Sequence, residues 1–145
     1  MSYPAVEELL PHKAPMVLLD RILSWDGATA RCGLRVREGA PFVVDGKARA
    51  AVALEYMAQC VGVCTALRSL ERGEPLRMGY LVGARTMTLA VDRFDVGDEL
   101  VVAATEEADG DELGLFACET ERGGSVVVSA TLSVYRGARR RPPSP

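Results

Sequence analysis

Between about Arg49 and Leu70, apolar side chains point in nearly every direction around a helix. They include Ala51, Val52, Ala53, Leu54, Met57, Ala58, Val61, Val63, Ala66 and Leu67. A helix that is apolar all round is normally buried on most sides. Its ~22 residues, rising 1.5 Å each, give roughly 30 Å of helix. Gly73, Glu74 and Pro75 end it. Upstream, residues 4–10 predict a short helix, with proline at its start and acids in its first turn. Pro11 stops it. Met16 to Ser24 predicts a buried strand, Asp26-Gly27 a turn and Ala28 to Arg37 the returning strand. Residues 38–50, with Gly39, Pro41, Asp45 and Gly46, predict a loop.

After the helix the pattern predicts strands only. These are Met78 to Val91, Glu99 to Glu107, Leu113 to Arg122 and Ser125 to Tyr135. Turns are expected at Phe94 to Asp98, at Ala108 to Glu112 and at Gly123-Gly124, the last a strong hairpin signal. Strands arranged around one helix make an α+β domain with an antiparallel sheet. One helix cannot cover such a sheet and be apolar on all sides unless the sheet wraps around it or a second subunit helps. Pairing two such sheets edge to edge would also protect their edge strands.

The chain has 145 residues, 48% apolar and 26% charged, which fits one soluble domain with a real core. We expect that domain over residues 1–136, and a disordered basic, proline-rich tail over 137–145. The apolar stretches are broken by Glu55, Gln59 or Arg68, short of the ~18–20 clean residues of a membrane span. The N-terminus does not read as a secretory signal. A net charge of −3 argues against nucleic-acid binding. Cys32, Cys60, Cys64 and Cys118 then read as free thiols of a reducing cytosol, so a cytoplasmic location is expected. With a single histidine the inventory does not suit a zinc site. No phosphate loop or nucleophile elbow is present, and no cofactor is expected.

Glu55 lies in the middle of the apolar helix, where a carboxylate is costly unless paired, protonated or exposed in a cavity. Gln59 is one turn on, on the same face. The pair reads either as a catalytic carboxyl held by an amide in a cleft or as a buried structural acid. Burial would raise the pKa of such a carboxyl, which suits a general acid. His12, the only histidine, is either a solvated or structural ring or a base that partners Glu55.

The segment Leu10-Pro11-His12-Lys13-Ala14-Pro15-Met16-Val17-Leu18-Leu19-Asp20-Arg21-Ile22 resembles the N-terminal signature of the 3-hydroxyacyl-[acyl-carrier-protein] dehydratases. Leu54-Glu55-Tyr56-Met57-Ala58-Gln59 resembles their central-helix motif. Tyr80-Leu81-Val82-Gly83-Ala84-Arg85 and Val96-Gly97-Asp98-Glu99-Leu100 resemble the next strand and the turn after it. Each motif is short, but four in this order are fairly specific. The likeness is nearest to the dehydratase-like subfamily of aryl polyene biosynthesis. It implies a hotdog fold, a sheet wrapped around one long helix and dimeric, and dehydration of 3-hydroxyacyl thioesters on an acyl carrier protein. It carries a catalytic role onto Glu55. The histidine that the family places about fourteen residues before that carboxylate is absent, since Pro41 stands there.

Three accounts follow. In the first, His12 takes the base role and Glu55, protonated, is the acid that releases water. In the second, the chain is a degenerate subunit of a heterodimer with a related hotdog dehydratase. In the third, it is a thioesterase whose carboxylate activates water. Gln59, Met16, Phe42 and Met57 are the expected substrate contacts, with Leu81 a further candidate for the acyl tunnel. A carrier protein is acidic, so Lys13, Arg21, Arg49, Arg68 and Arg85 are candidates for docking it.

Overall fold

Every second residue along the four middle strands is buried, and these residues face one helix. They include Ala30, Cys32 and Leu34, then Leu100, Val102 and Ala104, then Phe116, Cys118 and Thr120, and finally Val128, Ala130, Leu132 and Val134. The structure is a computed structural model describing residues 2–76, 79–109 and 112–135. The tail expected at 137–145 and the tip of the turn expected at 108–112 lie outside the described residues.

The chain runs α1 (Val6–Leu9), β1 (Arg21–Trp25), β2 (Thr29–Arg35) and β3 (Lys47–Arg49). A 3-10 turn (Ala50–Val52) leads into α2 (Ala53–Glu71). Then follow β4 (Tyr80–Leu89), β5 (Arg93–Asp95), β6 (Glu99–Asp109), β7 (Leu113–Arg122) and β8 (Ser125–Tyr135). Six strands form one antiparallel sheet in the order β1-β2-β6-β7-β8-β4, while β3 pairs with β5 in a separate ribbon. The sheet holds the single long helix against its inner face, which is the hotdog architecture. By length and composition the stretch Ala50–Glu71 could cross a membrane; here it is the core helix, mostly buried.

Small side chains let the helix approach the sheet closely. Cys60 on α2 reaches Ala30 O at 3.5 Å and Val102 O at 3.4 Å through its sulfur. All four cysteines are buried, and none forms a disulfide. They serve as small core residues, and burial, with Cys118 also beside Cys64, pushes the Cys118 thiol up to about 12. The hairpin at Gly123-Gly124 is present, with φ 61° and 81° at its two turn residues.

Three expectations need correction. The strand expected over Met16 to Ser24 begins only at Arg21. The loop expected over 38–50 contains β3, and the turn expected at Phe94 to Asp98 begins with β5. A three-residue strand is too short to show alternation, and Phe94 is fully buried. The two sheet edges differ. Strand β1 is short and bulged between Ile22 and Ser24. Strand β4 is ten residues long, irregular between Leu81 and Gly83 and between Arg85 and Thr88, and exposed along most of its length, with Val82 63% exposed.

Candidate active site

Gln59 ties two parts of the chain together. Its side-chain oxygen accepts from Leu18 N at 2.9 Å, and its Nε2 donates to Met16 O at 2.7 Å. The same nitrogen donates to Glu55 Oε1 at 3.1 Å. The side chain is 1% exposed, so these bonds satisfy an amide that would otherwise be costly to bury. They also explain the late start of β1, because the backbone at 16–18 bonds to a side chain instead of a ladder. The segment pinned this way carries His12 four residues upstream.

His12 Nε2 lies 3.4 Å from Glu55 Oε1, with the two side chains 33% and 34% exposed. His12 Nδ1 is buried and has no hydrogen-bond partner among the described residues, so the ring's polar contact is directed at Glu55. Oxygen Oε1 of Glu55 therefore faces both His12 and Gln59. Glu55 is less enclosed than its apolar neighbours suggested, because its head opens into a cleft.

Two cavities meet at Glu55 and Leu81. The larger, about 980 Å³, passes Phe42, Val44, Ala51 and Val52 and is flanked by Lys47, Arg49 and Arg93. First-turn N–H groups of a helix lack intrahelical partners, so Ala51 and Val52 bring donors to this space. The smaller, about 200 Å³, holds His12 and continues along Ala58, Gly62 and Thr65. A third cavity of about 290 Å³ includes Pro41 and Tyr56 but neither His12 nor Glu55. Tyr56 follows Glu55 in sequence yet is turned into the core, and burial pushes its phenol up to about 12.

The expected contacts divide. Phe42 lines the large cavity with a left-handed φ of 69°, and Leu81 lines both cavities that meet at Glu55. Gln59 has its polar atoms engaged inside the protein, which makes it a positioning residue rather than a substrate contact. Met16 contributes its carbonyl to Gln59, and Met57 is fully enclosed in the core, lining none of the three cavities. Among the docking candidates, Arg49 flanks the large cavity. Arg68 pairs with Glu106, donates to Gly27 O at 3.1 Å and covers the Trp25 ring, so it is structural. Lys47 and Arg93 were not singled out from sequence, since the ribbon that presents them was not expected. Among the described residues, no group of three or more acids, thiols or imidazoles could hold a metal ion.

A family model described as ApeP-like, ApeP dehydratase, matches residues 4–141. No curated protein matches the chain. Among solved structures, "The Dehydratase Heterocomplex ApeI:P from Xenorhabdus doucetiae" aligns with a TM-score of 0.89 at 30% identity, over 95% of this chain and 94% of that one. A hypothetical thioesterase from Streptococcus pneumoniae, solved with coenzyme A, aligns at 0.65 and 12% identity, over 83% and 88% of the two chains. The E. coli PaaI protein aligns at 0.63 and 14% identity, over 80% and 82%. The last two likenesses concern the fold alone. The fold and the match over nearly the whole chain agree: this protein belongs to the ApeP-like dehydratase family.

Proposed function

We propose that the chain dehydrates 3-hydroxyacyl thioesters borne by an acyl carrier protein to 2-enoyl thioesters, in fatty-acid or polyene-type biosynthesis. The observation that carries this reading is the direct contact of His12 with Glu55 inside a cleft. The Cα–H bond and the β-hydroxyl sit on neighbouring carbons, so a base and an acid in contact can address both from one side. His12 Nε2 takes the Cα proton, and the electron pair forms the Cα=Cβ bond as the Cβ–O bond breaks. Glu55 gives its proton to the departing hydroxyl, which leaves as water. The donors at Ala51 and Val52 suit the thioester carbonyl, where charge develops. After release His12 is protonated and Glu55 ionised. At 3.4 Å the proton passes back directly, which resets the pair.

The uncovered β4 is the natural seat for a second hotdog subunit, since a long apolar edge left open invites pairing with another chain. The heterocomplex found for the Xenorhabdus relative favours a related rather than an identical partner. It also favours a second reading, in which this chain lends structure to a complete dehydratase.

The test incubates the purified chain with 3-hydroxyacyl carrier protein, alone and with a related hotdog subunit, and follows loss of water by mass spectrometry. Enoyl product that disappears in His12→Ala supports the proposal. No product alone, with full activity of the complex carrying His12→Ala, establishes the structural reading instead.

A further inference from the structure

We infer that the cavity bounded by the loop of residues 37–43, separate from the two that meet at Glu55, is a binding site for a small neutral molecule of single-ring size that carries one hydrogen-bond acceptor. The inference does not rest on the dehydratase reading. The cavity has a volume of about 290 Å³. An apolar cavity of roughly half that volume holds benzene, so one substituted ring fits. Val17, Leu34, Val36, Pro41 and Val43 give it apolar walls. The loop over it is held in shape by its own backbone. Ala40 N donates to Arg37 O at 3.2 Å, and Val43 N donates to Ala40 O at 3.1 Å.

Tyr56 is the buried polar side chain of this cavity, and it lines neither of the other two. It is 4% exposed, and its ring centroid lies 6.2 Å from that of Phe94. Its hydroxyl bonds to no described residue and is not sealed from solvent, so it opens to the cavity. Burial pushes the phenol up to about 12, which keeps it a donor at neutral pH. A donor held in such a place gains when an acceptor meets it. The exposed rim carries two acids and two arginines, Asp20, Arg35, Arg37 and Glu38. Asp20 is already engaged, accepting from Arg35 N at 2.8 Å and from Arg37 Nη1 at 2.7 Å. With charges balanced at the mouth and apolar walls behind it, a neutral ligand is favoured over an ion. Pro41 and Val43 line this cavity, whereas Phe42 and Val44 line the large one. A ligand here would brace the strip that also walls the space beside Glu55. Phe42 in that strip holds a left-handed φ of 69°, an outlier of the kind that clusters at ligand clamps.

The experiment titrates isotope-labelled protein with p-cresol, toluene and benzoate and follows the backbone amides by NMR, so it needs no turnover. p-Cresol should bind saturably with a Kd on the order of 1 mM, with its largest shifts among residues 34–43. Benzoate, whose charge must be desolvated, should bind at least about tenfold more weakly. Tyr56→Phe keeps the ring and removes the hydroxyl. The preference for p-cresol over toluene should then fall about 3–10-fold, while toluene affinity stays within about twofold. The melting temperature of Tyr56→Phe should hold or rise, because the hydroxyl has no protein partner to lose. Val43→Phe fills the space and should abolish binding of all three, which keeps the inference testable if Tyr56→Phe does not fold. The inference is overturned by the absence of a saturable shift at about ten times the expected Kd. Shifts centred on residues 47–55, benzoate binding tighter than p-cresol, p-cresol binding that persists in Val43→Phe, or a p-cresol preference that survives Tyr56→Phe would each overturn it as well.

Discussion

Gln59 Nε2 donates to Glu55 Oε1 at 3.1 Å, the same oxygen that faces His12. One buried amide thus orients the acid and, through Met16 O and Leu18 N, anchors the segment that carries the base. Gln59→Leu leaves a backbone N–H and a carbonyl without partners at about 1–3 kcal/mol each. We predict a loss of about 2–4 kcal/mol in urea unfolding, by the same reasoning. Dehydration should fall at least tenfold even under conditions where the variant is fully folded.

Gly62→Ala tests how the helix meets α1. Alanine gains about 1 kcal/mol of helix propensity over glycine. Against this, the new methyl would press on the far end of the flexible Leu10 side chain, which can yield. The melting temperature should stay within a few degrees of wild type. A drop matching 3 kcal/mol or so of overpacking would show that Leu10 is fixed in place.

How much of this was legible in sequence depends on length and repetition. The long strands, the helix and the Gly123-Gly124 hairpin each carry many residues of consistent pattern, and all are present. The Lys47–Arg49 and Arg93–Asp95 ribbon carries three residues a side, so Phe94 read as part of a turn although it is fully buried. Glu55 and Gln59 were legible because polar groups inside an apolar helix demand a reason. Their meeting with His12 was read only as one of two alternatives for that ring, because it depends on Gln59 bonding to residues more than forty positions upstream. The small-residue face at Ala58, Gly62 and Thr65 had a signal, the helical spacing from Glu55, which the all-round apolarity concealed.

The four cysteines are buried, and burial raises the Cys118 thiol, while Cys60, whose thiol hydrogen-bonds to the Cys32 sulfur at 3.8 Å, is raised well above its ordinary range. Thiols held protonated and enclosed are poor nucleophiles. Iodoacetamide at pH 8 should label none of them in the folded protein and all four in guanidinium. Rapid labelling of Cys60 under native conditions would contradict the close seating of α2 on the sheet.

Asp26 caps the β1–β2 turn, where its Oδ1 accepts from Thr29 N at 2.7 Å and Ala28 N at 2.9 Å. These bonds, that from Thr29 first, hold its carboxyl below the ordinary 3.8. A depressed folded-state value gives stability that is present above pH 3.8 and lost as pH falls through the folded-state value. Asp26→Ala should therefore melt below wild type at pH 7, and the gap should narrow as the pH falls below 3.8. A constant gap down to pH 2 would show that charge has no part in the cap.

The central claim is that His12 and Glu55 act on the substrate as one unit. It is tested most directly by single-turnover dehydration of a 3-hydroxyacyl carrier protein by the wild type, His12→Ala, Glu55→Ala and the double variant. Each single change should cost about 10²–10⁴-fold, as expected for loss of a general acid or base, and the double variant should be little worse than the poorer single one. A single variant that keeps full wild-type turnover, or losses that simply multiply in the double variant, would contradict it.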